Sequence, residues 1–403
     1  MKGQNYSYFN LPNREIRPPE AVQEDNISSY IDKCDEETFY YDVMKFEDKF
    51  SILAPPLELE EVVFLYDKFF FNNNFEAEKY VYANKQEILT TEAYTRILTE
   101  LEPVAANDIM SKQTSELVKL IKNGIFKNIS YTLQRNNSLA WIVDWAKWCV
   151  DRCGSDLVVI YDNDSSAYNS LDIFNALENE GIRSFVMDVP YKYGPAWVPS
   201  NPWGSKHMWL QRACLEHIRL ICKFAINDTN HETIVLNTDI DELVHTPDGG
   251  NTIFEAVRKS NIDVAHFMRL PVFLKKGTFD VECIKHSDHN LIKKDLKPQA
   301  PKNIFNATKL DLNSRMHQHI INSGEVRSVQ FLNVFASHCI GINNGWKYQS
   351  NEMKSGWSPS ANFLDYDLNH AHSIIADLVS FDGDEHSDWR MKNKMVSCIY
   401  FPI

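Results

Sequence analysis

Two hydrophobic periods run along this chain, and the change between them divides it. From residue 125 the pattern is sharp. Ile129–Leu133 reads as a short strand. Ser138 then stands at an N-cap position, and Leu139, Ile142, Val143, Ala146, Cys149 and Val150 recur at helical spacing until Gly154 stops the run. Leu157–Tyr161 (LVVIY) is continuously apolar and β-branched, as expected of a strand buried on both faces. Leu171, Phe174 and Leu177 restore a helical period over residues 169–180, closed by Gly181, and Arg183–Val189 is a third strand. Strand, helix, strand, helix, strand at this spacing predicts a βαβαβ unit with parallel, right-handed crossovers.

A long helix is predicted over about residues 206–226, with His217 on its apolar stripe, where a hydrogen-bonded core histidine is a commoner outcome than a ligand. Thr233–Asn237 reads as the next strand, residues 252–260 as a short helix, and Asp263–Leu274 as one or two strands. Before residue 125 the pattern is weaker. Residues 1–50 read as an irregular arm, Phe50–Ala54 and Glu61–Tyr66 as strands, Asn72–Asn74 as a turn, and residues 88–101 and 112–123 as helices. Beyond 280 the pattern becomes polar and mixed.

At 403 residues and 44% apolar, the chain suits one large α/β unit with an appendage, or two domains. A net charge of −14 argues against a nucleic-acid partner, and Lys293, Lys294 and Lys297 read as a solvated loop rather than a basic patch. The eight cysteines form no Cys-x-x-Cys pair, and several fall at apolar helical positions, which suits a reduced, cytoplasmic setting better than a disulfide framework. The first residues, MKGQNYSYFN, have no signal-peptide character, and no stretch approaches the ~20 apolar residues of a membrane span. Peripheral contact with a membrane surface stays compatible with this composition.

Two acidic motifs carry the chemistry. IYDNDSS (160–166) and NTDIDEL (237–243) each follow a strand that reads as central in a parallel sheet. In open α/β sheets ligands bind outside the carboxyl ends of the strands, so both motifs are expected on one rim. On an extended chain Asp239 and Asp241 point the same way, with Ile240 turned into the core. Two such carboxylates repel unless a cation lies between them, and a hard divalent ion, Mg²⁺ or Mn²⁺, is the natural partner for oxygen ligands that also leave room for a diphosphate. Asp162 can accept hydrogen bonds from ribose hydroxyls or a base N–H, while Asn163, Asp164, Ser165 and Ser166 read as turn and cap residues. The segment PAWVPSNPWGSKHMW (195–209) offers Trp197, Trp203 and Trp209 for stacking on a sugar ring, in a loop suited to a lid.

The array LQRNNSLAWIVDWAKWCV, LVVIYDNDSS and a long helix leading into VLNTDIDELV resembles the GT-A glycosyltransferases, and among them the bacterial and animal family 92 and family 2-like groups. The likeness covers about residues 125–275 and extends weakly to 375. It departs from the usual pattern at Asn137 and Ser138, where an acidic residue commonly follows Asn136, at Ala167 and Tyr168, and at Leu243 in place of Phe. The resemblance implies a Rossmann-like, mostly parallel sheet with helices on both faces. It implies an N-terminal accessory region (1–124), a nucleotide-sugar-binding core (125–280) and an acceptor-side and C-terminal part (281–403).

It further implies a metal-dependent transfer from a nucleotide-diphosphate sugar to a glycan or glycolipid acceptor, in surface polysaccharide synthesis, in the cytoplasm or peripherally at the inner face of the membrane. Asp162, with Asn136 in the preceding turn, would touch the nucleoside. Asp239 and Asp241 would hold ribose and metal, and His370 or His372 in DLNHAHS would complete the metal shell. Asp241 would serve catalysis through the ion, and Glu242, His317 and His319 are the base candidates. Two rivals stand beside this reading. One is a haloacid-dehalogenase-type phosphatase or phosphotransferase, against which Leu243 and the late position of the Asp-x-Asp strand speak. The other is a non-catalytic nucleotide-sugar or glycan-binding module.

Overall fold

The computed structural model describes residues 28, 32–35, 38–46, 49–71, 74–91, 93–101, 109–124, 126–194, 209–225, 231–246, 251–274, 284–293, 299–321, 327–342, 363–365 and 397–399. In chain order the elements are β1 (Asp42–Phe46), β2 (Lys49–Ala54), α1 (Leu59–Tyr66), α2 (Asn74–Ala83), β3 (Ile88–Thr90), β4 (Thr95–Thr99), α3 (Ile109–Gly124), β5 (Asn128–Gln134), α4 (Leu139–Trp148), β6 (Leu157–Asp162), α5 (Ser170–Asn179), β7 (Ser184–Asp188), α6 (Trp209–Phe224), β8 (Ile234–Asn237), β9 (Glu242–His245) and α7 (Ile253–Lys259). Then come β10 (Val264–Leu274), β11 (His289–Lys293), β12 (Gln299–Asn306), β13 (Ser328–Cys339), β14 (Phe363–Asp365) and β15 (Ser397–Ile399). The chain divides into two units, residues 1–124 with 188–227, and residues 125–187 with 228–403.

The first unit holds a four-stranded antiparallel sheet in the order β1-β2-β4-β3. Three expectations fail there. Residues 42–46 lie inside the expected irregular arm, yet form a strand paired to β2. Glu61–Tyr66 is helical rather than extended. Its apolar run suits either state, and Glu61 decides by reaching back to the Glu58 N–H at 2.7 Å, closing a helix start. Residues 88–101 form the hairpin of β3 and β4 rather than a helix. Thr90, Thr95 and Thr99 favour extended backbone, and Thr91 closes the turn through its N–H to Tyr94 O (2.9 Å) and its hydroxyl oxygen to Tyr94 N (3.0 Å). Helix α6 belongs to this unit, and its His217 is the core histidine expected. The ring is fully buried, with Nε2 2.7 Å from Asp42 Oδ2, and Thr114 and Ser111 donate to the same carboxylate at 2.7 and 2.6 Å.

The second unit is built on an eleven-stranded sheet among the described residues, with the order β14-β11-β10-β12-β8-β5-β6-β7 and with β13 joined to β10, β9 and β15. Strand β5 runs parallel to β6 and to β8, which matches the parallel start expected from the repeating strand–helix pattern. The sheet as a whole is mixed, not mostly parallel: β12 is antiparallel to β8 and β10, β11 to β10, and β9 to β13. Parallel neighbours need long crossovers, usually helical, and no described α-helix follows α7, so the later strands pair mainly by reversing.

Every residue of β6 is buried. Each fully buried Val, Leu or Ile there contributes about 1.5–3 kcal/mol. Val158 and Ile160 share a core cluster with Trp141, Ile142 and Trp145 of α4 and with Ile173 and Leu177 of α5, while Ile234 and Leu236 of β8 share another with Ile253, Phe254 and Val257 of α7. Helix α4 starts after Ser138 as expected, although that side chain makes no cap bond, and a π turn over Cys149–Cys153 continues it to Gly154, whose φ of +83° closes the run. No described helix is long and apolar enough to cross a membrane.

Candidate active site

Because β5, β6 and β8 are parallel, their carboxyl ends share one rim. Gln134 stands opposite Asp162, and Tyr131 opposite Asn237. The two loops that leave β5 and β6 are clasped together there. Asp162, 3% exposed, accepts from the Ser165 hydroxyl at 2.5 Å, from Ser165 N at 3.3 Å and from the Gln134 amide. Asn136 adopts a left-handed φ of +54°, and its side-chain oxygen accepts from Ser166 N (2.7 Å) and Ala167 N (3.1 Å). Ser165 and Ser166 thus do the turn work expected of them, with Asp162 and Asn136 as their partners.

The second acidic motif does not stay extended. The chain turns over between β8 and β9, closed by Glu242 N–H to Asp239 O (3.0 Å) and by Asp239 N–H to Glu242 Oε2 (2.8 Å). Asp239 and Asp241 therefore do not stand side by side as i and i+2 of a strand. The carboxylates meet basic partners, one of them shared. Asp239 Oδ2 lies 2.9 Å from Lys302 Nζ, Glu242 Oε1 2.8 Å from Arg269, Glu242 Oε2 3.3 Å from Lys302, and Asp241 Oδ2 3.2 Å from His338 Nε2. Burial opposes the Arg269 charge, and Glu242 more than restores it, so the guanidinium pKa is raised. Within this cluster Asp239, Asp241 and Glu242 carry three negative charges against the two positive charges of Arg269 and Lys302. Lys302 and Arg269 thus offset the charge of Asp239 and Glu242. Ile240 is in the core, as expected.

Among the described residues one group has the composition and closeness to hold a metal ion: Asp241, Glu242 and His338, whose ligand atoms lie within 4.8 Å of one another. His338 orients itself against Gln299, with Nδ1 2.5 Å from Gln299 Oε1. Its Nε2 lies 3.2 Å from Asp241 Oδ2, which sets an imidazole nitrogen beside a carboxylate oxygen. The donor set therefore fits a divalent ion held by Asp241 and His338, with Glu242 already committed to Arg269 and Lys302. His338, Lys302 and Arg269 were not foreseen. His338 is a single histidine in the strand sequence NVFASHC, and nothing in the local pattern marks it.

His317 and His319 lie in the connection between β12 and β13. A row of polar side chains on three adjacent strands holds that connection by its carbonyls. Asn237, Asn303 and His266 are register neighbours across β8, β12 and β10. Asn237 donates to Gln318 O (3.1 Å), Asn303 to His317 O (3.1 Å), and His266 Nδ1 to His319 O (3.2 Å). Burial pushes His266 down to about 4, so it is neutral near pH 7. His319 is also held well below its ordinary value, by burial first and then by the charges of Arg269 and Lys302 and by His317. Its Nδ1–H donates to Pro301 O at 2.8 Å, which leaves the basic lone pair on Nε2. The rings of His317 and His319 are 5.8 Å apart. His370 and His372, and the loop carrying Trp197 and Trp203, lie outside the described residues; Trp209 is buried in the first turn of α6.

Neither a protein-family model nor a curated protein matches the chain. Among solved structures it is similar to one from Bacillus anthracis described as a glucose-1-phosphate thymidylyltransferase in complex with a sucrose. The identity is 9% over 68% of this chain and 86% of that one, with a TM-score of 0.22. A likeness of that size supports no functional assignment.

Proposed function

We propose that the chain is a metal-dependent glycosyltransferase that takes a nucleotide-diphosphate sugar as donor and a hydroxyl of a glycan or glycolipid as acceptor. The observation that carries the reading is the Asp241–His338 pair, a carboxylate in the turn that follows β8 lying 3.2 Å from an imidazole on β13, on the rim where β5 and β6 also end. Asp241 and His338 hold the cation. The imidazole nitrogen favours Mn²⁺ over the strictly oxygen-seeking Mg²⁺. Once bound, the ion supplies Lewis acidity to the departing diphosphate.

The protein's own groups do the rest. Arg269 and Lys302 fix Glu242 and Asp239, so the turn keeps its shape when a diphosphate approaches. Asp162 and Asn136 shape the nucleoside end of the rim through the loops they clasp. His317 and His319 are the base candidates for the acceptor hydroxyl proton, and burial with the charges of Arg269 and Lys302 makes His319 the weaker base in the metal-free chain. Screening a panel of nucleotide sugars for Mn²⁺-dependent release of nucleotide diphosphate tests the reading. Release that EDTA abolishes supports it; free phosphate, or no product from any donor, overturns it.

A further inference from the structure

The turn that carries Asp239 and Asp241 is braced from beneath by one face of helix α4. Trp141, Asp144 and Trp145 fall at i, i+3 and i+4 and so share that face. Trp145 Nε1–H donates to Thr238 Oγ1 at 3.2 Å, at the start of the turn. Trp141 Nε1–H donates to Ile284 O at 2.5 Å and fixes the chain that leads into His286. His286, 3% exposed, has Nε2 2.8 Å from Ile240 O. A carbonyl only accepts, so Nε2 carries the proton and donates. Asp144 Oδ2 lies 3.7 Å from the other ring nitrogen, beyond hydrogen-bond reach but close enough to favour an imidazole oriented this way. On the far side of the turn, Cys339 N–H donates to Asp241 O at 2.8 Å, and Cys339 directly follows His338.

We infer that His286 is a positioning residue for the cation site. Its hydrogen bond goes to Ile240 O, not to the side chain of Asp241 or His338. It pins the carbonyl of Ile240, the residue between the two aspartates, and that bond sets how far the Asp241 carboxylate can drift from His338. Its partner helix α4 makes the brace rigid, since the same face holds Thr238, Ile284 and His286. Loss of the bond loosens the turn and lowers affinity for the ion without removing a ligand, an effect of the size seen for outer-shell partners of metal ligands, about 10–100-fold. The inference rests on the proposed function for its ion, but not for the state of the turn.

Two variants test it. His286→Ala removes the donor, and His286→Gln places an amide N–H near the position of Nε2. Amide hydrogen exchange of the metal-free protein is followed in a peptide spanning 237–243 and, as a control, one spanning 128–134. Binding of Mn²⁺ is measured by the loss of the free-ion electron paramagnetic resonance signal. His286→Ala should speed exchange at 237–243 by about tenfold or more, leave 128–134 unchanged, and weaken Mn²⁺ binding by about tenfold or more, with His286→Gln recovering most of both.

Unchanged exchange at 237–243 overturns the inference, as does an equal acceleration at 128–134, which marks a general loss of stability. Faster exchange with unaltered Mn²⁺ binding overturns the link to affinity. If the wild-type chain binds no Mn²⁺, it is the metal reading that fails, and the exchange comparison still decides whether His286 holds the turn.

Discussion

Lys302 Nζ stands 2.9 Å from Asp239 Oδ2 and 3.3 Å from Glu242 Oε2, with none of its side chain exposed. One ammonium on β12 therefore bridges both ends of the turn between β8 and β9. Replacing it with Met takes a buried cation from Asp239 and Glu242 and leaves Arg269 on Glu242, the loss of a buried partner that typically costs about 3–5 kcal/mol. Urea unfolding should show that loss for Lys302→Met and a partial recovery in the double variant with Asp239→Asn. A Lys302→Met protein as stable as wild type contradicts the assigned pairing.

Mn²⁺ should stabilise the wild-type chain in thermal unfolding. At a hundredfold excess over its dissociation constant, a ligand confined to the native state adds about 2.7 kcal/mol. Asp241→Asn and His338→Leu should each lose that increment, and Asp241→Asn should lower turnover by about 10²–10³-fold. A full Mn²⁺-induced shift in both variants places the ion elsewhere.

His266 gives stability a pH dependence of known sign. Its folded pKa of about 4 lies below the unfolded value near 6.5, so the unfolded chain binds the extra proton between those limits. The contribution is complete above pH 6.5 and is lost as pH falls towards 4, about 3 kcal/mol in all. His289, also pushed down to about 4 by burial, adds a loss in the same window. His266→Asn can keep the donor to His319 O while removing the titration. Its urea midpoint should fall less steeply than that of wild type between pH 6.5 and 4.5; an unchanged slope rules out a neutral native His266.

In the first unit, Glu216 is buried between Arg96 (3.0 Å) and Arg219 (2.6 Å). Burial opposes its charge, yet the two guanidiniums outweigh burial and hold its pKa below the ordinary value. Glu216→Gln removes the negative charge that two buried guanidiniums share and should destabilise the protein by about 3–5 kcal/mol in chemical unfolding. A loss under about 1 kcal/mol means that other partners carry those charges.

The sequence was most legible where one period ran long enough to exclude the other. β5, α4, β6, α5 and β7 fall close to their expected bounds because six apolar positions at helical spacing have no strand equivalent. Short runs were not decidable in that way. VVFLY fits either state, and its helix was settled by Glu61 bonding to the Glu58 N–H, while 88–101, expected as a helix, became a hairpin in which Thr90, Thr95 and Thr99 favour extended backbone. At the site, the rim position of the aspartates follows from strand direction alone. Their partners do not: Lys302, Arg269 and His338 lie 27 to 97 residues away from the carboxylates they meet, on strands whose pairing no local pattern encodes. The reversal at Ile240 was equally hidden, because it depends on Glu242 turning back to the Asp239 N–H.

The row Asn237–Asn303–His266 grips peptide oxygens, not the side chains of residues 317 to 319. The main chain of that segment is thus clamped from the sheet through three carbonyls, while His317 Nδ1 takes the His319 N–H within the segment and Gln318 is buried. A residue exchanged at 317 leaves the three sheet-side bonds in place, so the clamp outlasts a change in the ring it carries.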